Sequence, residues 1–431
     1  MGADRVADWI SGGQALRRMV DGVPRLAAEV RPLLDTLGRV LAEDVISPVD
    51  LPPWDNSAMD GFAARADDVR GASGASPVTL RVVDDVPAGH FAARAVGPGE
   101  AIRIMTGAPV PLGADGVIRV EHTDGGTAIG TAEGRVVIRS DADAGRNVRP
   151  RGEDVRAGST VLRAGDVLTP GALAVAAGAG RDSLSVIRRP RVAILASGDE
   201  LVTMAEYDQV LAGRRIVSTN SYALAAQLAE AGMEAVVLGI ARDTRASLRE
   251  HLAAAAGCDA LITTAGISVG EHDHVVAALE ELRTDLAFWR VLIRPGSAMA
   301  FGRVEGLGGI PWFGLPGNPV STMATFALFV RPALLRMAGH ARVHLPSVEA
   351  TFDATYAARG ELMNFPRVRL QRAAQDAFTA TLTGGQGSGM ASSMAAADGL
   401  AIVDAGRDVR PGDAVRVVLL SGAPLTENAP F

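Results

Sequence analysis

Residues 192–197, VAILAS, open the part of the chain that decides its fold. Three more apolar runs follow: AVVLGI (235–240), ALITTA (260–265) and FWRVLI (288–293). Between these runs, apolar residues recur at helical spacing near 220–231, 244–256 and 275–282. Because successive buried strands joined by helices form right-handed crossovers, this alternation predicts a doubly wound, mostly parallel sheet.

The N-terminal part predicts two helices and an irregular segment. Apolar residues at helical spacing predict helices over Ser11–Asp21 and Thr36–Asp44, with Ser11 and Thr36 as N-caps. Residues 47–63, SPVDLPPWDNSAMDGFA, contain three prolines, so they are expected to be extended.

Two regions predict short strands. VTLRVVDD, EAIRIMT, DGVIRVEH and GRVVIRS, within 78–140, are separated by Gly and Pro turns, which is typical of a small β-barrel. A second set after Pro346 predicts a β-rich C-terminal domain. We therefore expect an α/β multidomain protein with a discontinuous N-terminal mixed domain (1–55 and 146–185), an inserted β-barrel (56–145), the α/β sheet domain (186–340) and the β-rich domain (341–431).

Composition excludes several kinds of function. The net charge of −7 provides no attraction to nucleic acid or anionic membrane. All 42 basic residues are Arg, which rules out Schiff-base and phosphate-loop lysines. The single cysteine, Cys258, fits a reducing cytosol, and the sequence shows neither an apolar signal region nor a bilayer-length apolar run. We expect a cytoplasmic protein.

Carboxylates follow the predicted strands. Asp199 and Glu200 come after the first strand, Asp243 after the second and Asp273 after the third. Because ligands bind at the carboxyl ends of parallel strands, these oxygens suit Mg²⁺ together with substrate phosphate. The alternative is that each carboxylate only caps the helix that follows it.

LPGNPVS (315–321) predicts a turn and a helix that begins at Asn318 and Pro319. Free amides at that start favour an oxyanion such as molybdate or a phosphate, with Ser321 as a hydroxyl donor. The positive charge would come from Arg290 and Arg294. The alternative is a structural turn before a core helix.

TTAGISVGEHD (263–273) places small residues after a buried strand, where the backbone can approach a phosphate or pterin closely. The candidates there are Gly266, Ser268 and Gly270.

Seven segments together resemble a known family, the molybdopterin molybdenumtransferases, which include bacterial MoeA and the E domain of gephyrin. They are PPWDNSAMDGFA (52–63), IRIMTGAPVPLGAD (102–115), RPRGEDVRAG (149–158), LASGDELV (195–202), TTAGISVGEHD (263–273), FWRVLIRPG (288–296) and FGLPGNPVS (313–321). The resemblance covers nearly the whole chain and is looser in the C-terminal domain.

The resemblance implies a homodimer that inserts molybdate into adenylated molybdopterin and releases AMP, and it allows contact with the adenylyltransferase of the same pathway. It implies that these residues are functional: Asp60, Thr106, Asp154, Glu200, Asp243, Asp273, Pro316 and Pro319. Gly317, in the same turn, is a further candidate for substrate or anion binding. Glu200, Asp243 and Asp273 would bind Mg²⁺, which would polarise the phosphoanhydride of the substrate.

The sequence departs from the family pattern at a few positions. Ala265 stands where the family has Gly, Arg290 and Arg294 where it has Lys, Ser297 where it has a second Lys, and Ser218 where it has Asp. Two other interpretations remain open: a pterin-binding scaffold without turnover, and a molybdopterin adenylyltransferase.

Overall fold

The structure is a computed structural model that describes residues 9–128, 133–266, 274–358, 360–372 and 377–420. The chain forms two compact units. The sheet unit contains Met1–Glu29, Gly38–Val40 and Ser185–Phe431, and the half-barrel unit contains Val30–Leu37 and Leu41–Leu184.

The helices of the described residues are α1 (Gly12–Asp21), α2 (Ala66–Val69), α3 (Pro170–Gly178), α4 (Tyr207–Leu211), α5 (Thr219–Glu230), α6 (Arg245–Ala253), α7 (His274–Glu281), α8 (Pro319–Thr325), α9 (Arg331–Met337) and α10 (Ala391–Ala395). The strands up to residue 200 are β1 (Ala28–Pro32), β2 (Val45–Ile46), β3 (Asn56–Ser57), β4 (Gly61–Ala64), β5 (Val78–Val86), β6 (Glu100–Ile104), β7 (Gly116–Arg119), β8 (Arg135–Ile138), β9 (Val148–Arg149), β10 (Thr160–Leu162), β11 (Ser183–Ile187) and β12 (Arg191–Ser197). The later strands are β13 (Leu201–Val202), β14 (Ile216–Val217), β15 (Glu234–Ala241), β16 (Ala260–Thr264), β17 (Thr284–Trp289), β18 (Ile293–Arg294), β19 (Ala300–Val304), β20 (Ile310–Leu315), β21 (Ser347–Phe352), β22 (Met363–Asn364), β23 (Arg367–Arg372), β24 (Phe378–Leu382), β25 (Gly399–Ile402) and β26 (Ala414–Leu419).

A six-stranded sheet forms the centre of the sheet unit, with strand order β15-β12-β16-β20-β19-β17. The first four strands are parallel, and β19 is antiparallel to both of its neighbours. Apolar side chains of β12, β16 and β20 are buried in two clusters, one on each face, against helices. The predicted doubly wound, mostly parallel sheet is confirmed, as are its helices α5, α6 and α7.

The strand predicted over 288–293 is wrong in its second half. β17 ends at Trp289, because Arg290 has a φ of 75° and turns the chain out of the sheet. Ile293 and Arg294 form the separate strand β18, which pairs with β22 outside the main sheet. The sequence reasoning also missed β19 and β20, although β20 lies next to β16 inside the sheet.

The segment Pro319–Met337 forms one helical rod composed of α8, a π turn at Phe326–Val330 and α9. Pro332 explains the π turn, because its ring nitrogen has no hydrogen to donate one turn back. Among the described helices, this rod alone is long and apolar enough to span a membrane, and 78% of that stretch is buried as a core helix.

The half-barrel unit contains a five-stranded sheet with order β7-β4-β6-β5-β8. These strands confirm the predicted β module, but they form a half-barrel rather than a closed ring. After β7 the chain makes a helical turn, and the segment that follows pairs with β8 only through two isolated bridges, Thr123 to Ile138 and Thr127 to Arg135. That turn interrupts the ladder that would otherwise close the barrel.

The N-terminal predictions are confirmed in part. Ser11 caps α1, accepting a hydrogen bond from the Gln14 amide. The helix predicted over Thr36–Asp44 is wrong: a short 3₁₀ turn at Leu33–Thr36 is followed by Gly38, whose φ of 74° ends any helical path. Residues 47–63 are non-helical, as predicted.

The C-terminal part confirms the β-rich prediction. Its strands β21-β24-β23-β25-β26 close into a barrel around a core of apolar side chains such as Phe352 and Val417. The boundaries of the four expected domains stay a prediction.

Candidate functional site

Two carboxylate loops meet at the carboxyl edge of the sheet. β12 and β15 are neighbours with Ser197 opposite Ala241, so the loops that follow them are adjacent. The Asp199 amide donates to Asp243 Oδ2 at 3.3 Å, and the Asp243 amide donates to Asp199 Oδ1 at the same distance. This reciprocal pairing fixes the two loops relative to each other.

Glu200 belongs to the same edge. Its carboxylate lies over Gly198, where an added Cβ would be 2.5 Å from Glu200 Oε2 and would displace that side chain. The φ of 148° at Gly198 favours glycine. Among the described residues no three His, Cys, Asp or Glu side chains are grouped to hold a metal. Asp273, the third predicted ligand, lies outside the described residues. Mg²⁺ often takes one or two carboxylates with phosphate oxygens, so the donor set of Glu200 and Asp243 fits it.

A cavity of about 320 Å³ lies between the start of the long helical rod and the C-terminal barrel. It is lined by Ile293, Arg294, Pro295, Gly296, Ser297, Ala298, Pro316, Asn318, Ser321, Tyr356, Leu362, Phe365, Pro366, Arg367, Gln386 and Ser388. We call it the oxyanion cavity. Four residues predicted for an anion site, Arg294, Pro316, Asn318 and Ser321, are therefore brought together.

Arg294 and Arg367 are the charged residues among the described residues that line this cavity, and no Asp or Glu is among them. Arg367 is only 1% exposed. Its Nε donates to Ser393 Oγ at 2.5 Å, and its Nη2 donates to the carbonyls of Gly385 and Gly387 at 2.9 and 3.2 Å. Burial lowers the pKa of Arg367, and nearby Arg294 lowers it further. The acceptors that bind Arg367 among the described residues are neutral, and a buried cation without a carboxylate partner favours an anionic ligand.

At the helix start, one of the amides predicted to be free is already paired. Asn318 occupies the N-cap position and Pro319 the first turn, as predicted, but the Asn318 side chain makes no capping bond. The Val320 amide donates to Ser388 O at 3.0 Å. The prediction of an amide anion site is therefore wrong for that amide, because the C-terminal domain supplies its acceptor.

The remaining described residues that were predicted for the site in the sheet unit do not line the cavity. Gly317 O accepts from Asn220 Nδ2 at 2.8 Å. Gly266, two residues after the end of β16, has a φ of 70°. Arg290 stacks over Trp9, with 5.4 Å between the guanidinium carbon and the ring centre, and does not line the cavity. Ser268 and Gly270 lie outside the described residues.

In the half-barrel unit, Asp60 and Thr106 are joined. Asp60 Oδ1 accepts from the Thr106 amide at 2.7 Å and from Thr106 Oγ1 at 2.8 Å. The hydrogen bond from the Thr106 backbone amide, and to a smaller extent the one from its hydroxyl, lower the pKa of Asp60. Asp154 is exposed on another loop, where its amide donates to Leu51 O at 3.0 Å. No described contact joins Asp154 to Asp60.

Sequence reasoning missed the half of the oxyanion cavity that the C-terminal barrel supplies, including Tyr356, Arg367, Gln386 and Ser388. The only available signal was an arginine at the start of an apolar strand in FPRVRLQ, and such a residue is ordinarily exposed.

Three family profiles match the chain in order. They are the MoeA N-terminal region (domain I and II) over residues 10–180, the probable molybdopterin binding domain over 193–336, and the MoeA C-terminal region (domain IV) over 349–420.

Named relatives and solved structures agree with these profiles. Molybdopterin molybdenumtransferase 2 of Mycobacterium tuberculosis is 39% identical over 75% of this chain and 78% of its own length. The molybdopterin molybdenumtransferase of Staphylococcus aureus is 32% identical over 94% of both chains. Two crystal structures of the molybdopterin biosynthesis MoeA protein of Pyrococcus horikoshii, 30% and 28% identical, cover 96% of this chain and 100% of their own, with TM-scores of 0.76 and 0.78. The profiles follow one another along the chain, the named relatives are at least 30% identical over most of its length, and this chain belongs to the MoeA family of molybdopterin molybdenumtransferases.

Proposed function

We propose that the protein inserts molybdate into adenylated molybdopterin, with Mg²⁺-dependent release of AMP, as a cytoplasmic homodimer. The observation that carries this proposal is the oxyanion cavity, where Arg294 and Arg367 face a ligand space without carboxylates. Guanidinium groups bind tetrahedral oxyanions with charge-assisted, directional hydrogen bonds. Molybdate is a substrate of this kind.

The chain's own residues divide the work. Arg294 and Arg367 hold the oxyanion, while Asn318 and Ser321 add polar contacts at the helix start. Pro316, Gly317 and Pro319 shape the turn, and Gly266, Ser268 and Gly270 would admit the pterin. Glu200 and Asp243, with Asp273, would hold Mg²⁺, whose charge would neutralise the phosphoanhydride. Asp60, Thr106 and Asp154 are proposed as further functional residues.

The test is AMP release from adenylated molybdopterin in the presence of molybdate and Mg²⁺. Asp243→Asn keeps the size of the side chain and removes its charge, so AMP release should fall at least tenfold, as is typical when a functional charge is lost. Asp208→Asn, at an exposed position of α4, is the matched control and should retain activity. Equal activity in both variants would refute the assigned carboxylate.

The wild-type assay also separates the other functions. Binding of the pterin without AMP release would identify a scaffold, and consumption of ATP with free molybdopterin would identify an adenylyltransferase. Transfer of the adenylated substrate from the adenylyltransferase of the pathway would follow from contact between the two enzymes.

An exposed apolar face in the half-barrel unit supports the homodimer. Helix α3, PGALAVAAG, has no charged or polar side chain, and Ala176 is its only buried residue. It contacts the turn at Leu33–Thr36, where Leu34 is 83% exposed. Apolar area of this kind favours a partner surface. Light scattering should give a dimer for the wild-type chain and a monomer for Leu34→Glu, and a wild-type monomer would refute this part.

A further inference from the structure

Two side-chain amides connect helix α5 to the long helical rod and to the turn that precedes it. Asn220 Nδ2 donates to Gly317 O at 2.8 Å, and Gln227 Nε2 donates to Met323 O at 3.2 Å. The two residues are seven positions apart, so they lie two helical turns from each other along α5. Only the first bond reaches the turn that leads into the oxyanion cavity.

Asn220 contributes little to the stability of the fold. It is 8% exposed, and its Oδ1 is buried without a hydrogen-bond partner. One amide hydrogen bond and one buried unsatisfied carbonyl roughly cancel in free energy. A leucine of similar shape would avoid the unsatisfied oxygen, so stability alone does not account for an amide at this position.

The Asn220 bond fixes the backbone on which the cavity depends. Gly317 lies directly between Pro316 and Asn318, both of which line the cavity. Ala265 lies on another side of Gly317. Its Cβ is 3.2 Å from the position that a Cβ on residue 317 would occupy. The Pro316 carbonyl accepts from Thr322 Oγ1 at 2.6 Å. The turn is therefore held from the helix, from β16 and from α5.

We propose that Asn220 is a positioning residue for oxyanion binding: by holding the Gly317 carbonyl, it sets the orientation of Asn318 and Pro316 in the cavity. It acts through the turn and does not touch the anion. This role rests on the proposed function, because it assumes that the cavity binds molybdate.

The experiment compares the full-length wild type with Asn220→Leu, Asn220→Ala and Gln227→Ala. Leucine keeps the approximate shape of Asn220 and removes only its polar groups, while Gln227→Ala deletes the matching amide bond away from the turn. Molybdate affinity is measured by calorimetry, and hydrogen exchange is followed in a peptide that contains the amides of Gly317, Asn318 and Val320. Thermal melting reports stability for each variant.

Both Asn220 variants should bind molybdate about 10–100-fold more weakly, the usual effect of losing a supporting hydrogen bond behind a binding group. They should also exchange faster at the turn, with little change in melting temperature for Asn220→Leu. Gln227→Ala should retain the affinity and the turn protection. Unchanged exchange in Asn220→Leu, or equal effects of Asn220→Leu and Gln227→Ala, overturns the inference. If the wild type binds no molybdate, the proposed function fails, and the exchange comparison still decides whether Asn220 positions the turn.

Discussion

Replacing Ala265 by glycine is expected to stabilise the sheet unit. Ala265 directly follows β16 and has a φ of 68°, in the left-handed region that a side chain with a Cβ disfavours. This conformation costs about 1–2 kcal/mol for a residue other than glycine. Ala265→Gly removes that cost and loses roughly 0.5–1 kcal/mol through the greater freedom of glycine in the unfolded chain. The net gain should be about 0.5–1 kcal/mol.

Ala226→Gly provides the matched control. It removes the same atoms, but at a helical position where the backbone favours alanine over glycine. Ala226 is exposed in the middle of α5, where glycine costs about 1 kcal/mol relative to alanine. The two variants should therefore differ from the wild type in opposite directions.

Calorimetry and urea denaturation of the full-length protein measure both variants under the same conditions. A gain of 0.5–1 kcal/mol corresponds to an increase of roughly 1–3 °C in melting temperature for a unit of this size. An Ala265→Gly variant as unstable as Ala226→Gly would refute the left-handed backbone at residue 265 and the reasoning from it.

Three further outcomes follow from the described contacts. Arg367→Met should weaken molybdate binding about 30–100-fold, the value of a charge-assisted hydrogen bond, and should lower the free energy of unfolding by about 1–3 kcal/mol because the buried Ser393 hydroxyl loses its donor. Thr106→Val removes the hydrogen bond from the Thr106 hydroxyl to Asp60 and should raise the pKa of Asp60, measured by carboxyl NMR. In the wild type, the stabilisation from ionised Asp60 is present above the ordinary Asp pKa and is lost as the pH falls through the lowered pKa of the folded state. The variant should therefore lose this stabilisation at a higher pH than the wild type. Arg188→Leu breaks two 2.6 Å hydrogen bonds to the nearly buried Asp259 and should lower the free energy of unfolding by about 2 kcal/mol in urea titrations.

Local sequence patterns predicted the structure correctly wherever residues within one segment determine its conformation. The apolar run of β12 and the helical spacing of α5 predicted the layered sheet, since each element buries one recognisable face. Ser11 predicted the start of α1 because a capping bond spans only three residues. The strands of the half-barrel were predicted for the same reason.

The predictions failed where contacts with residues distant in the sequence determine the local structure. Thr36–Asp44 has helical spacing, yet Gly38 turns the chain and the Leu41 amide donates to Asp166 O, far away in the sequence. Arg290 carries the expected charge, but its left-handed backbone turns it toward Trp9. Whether the β module closes into a full barrel depends on the helical turn after β7, and the alternation of apolar residues in a strand does not predict the geometry of that turn.

By itself, the sequence determined the fold class, the family and the acidic edge of the sheet, because period, turn residues and short motifs are local properties of the chain. Only the tertiary structure decided which residues enclose the oxyanion cavity. Arg367 and Ser388 come from a barrel far along the chain, and Ser388 takes the Val320 amide that the sequence had left free for an anion. Burial and charge compensation depend on neighbours in space, and those neighbours exist only once the sheet and the barrel have packed together.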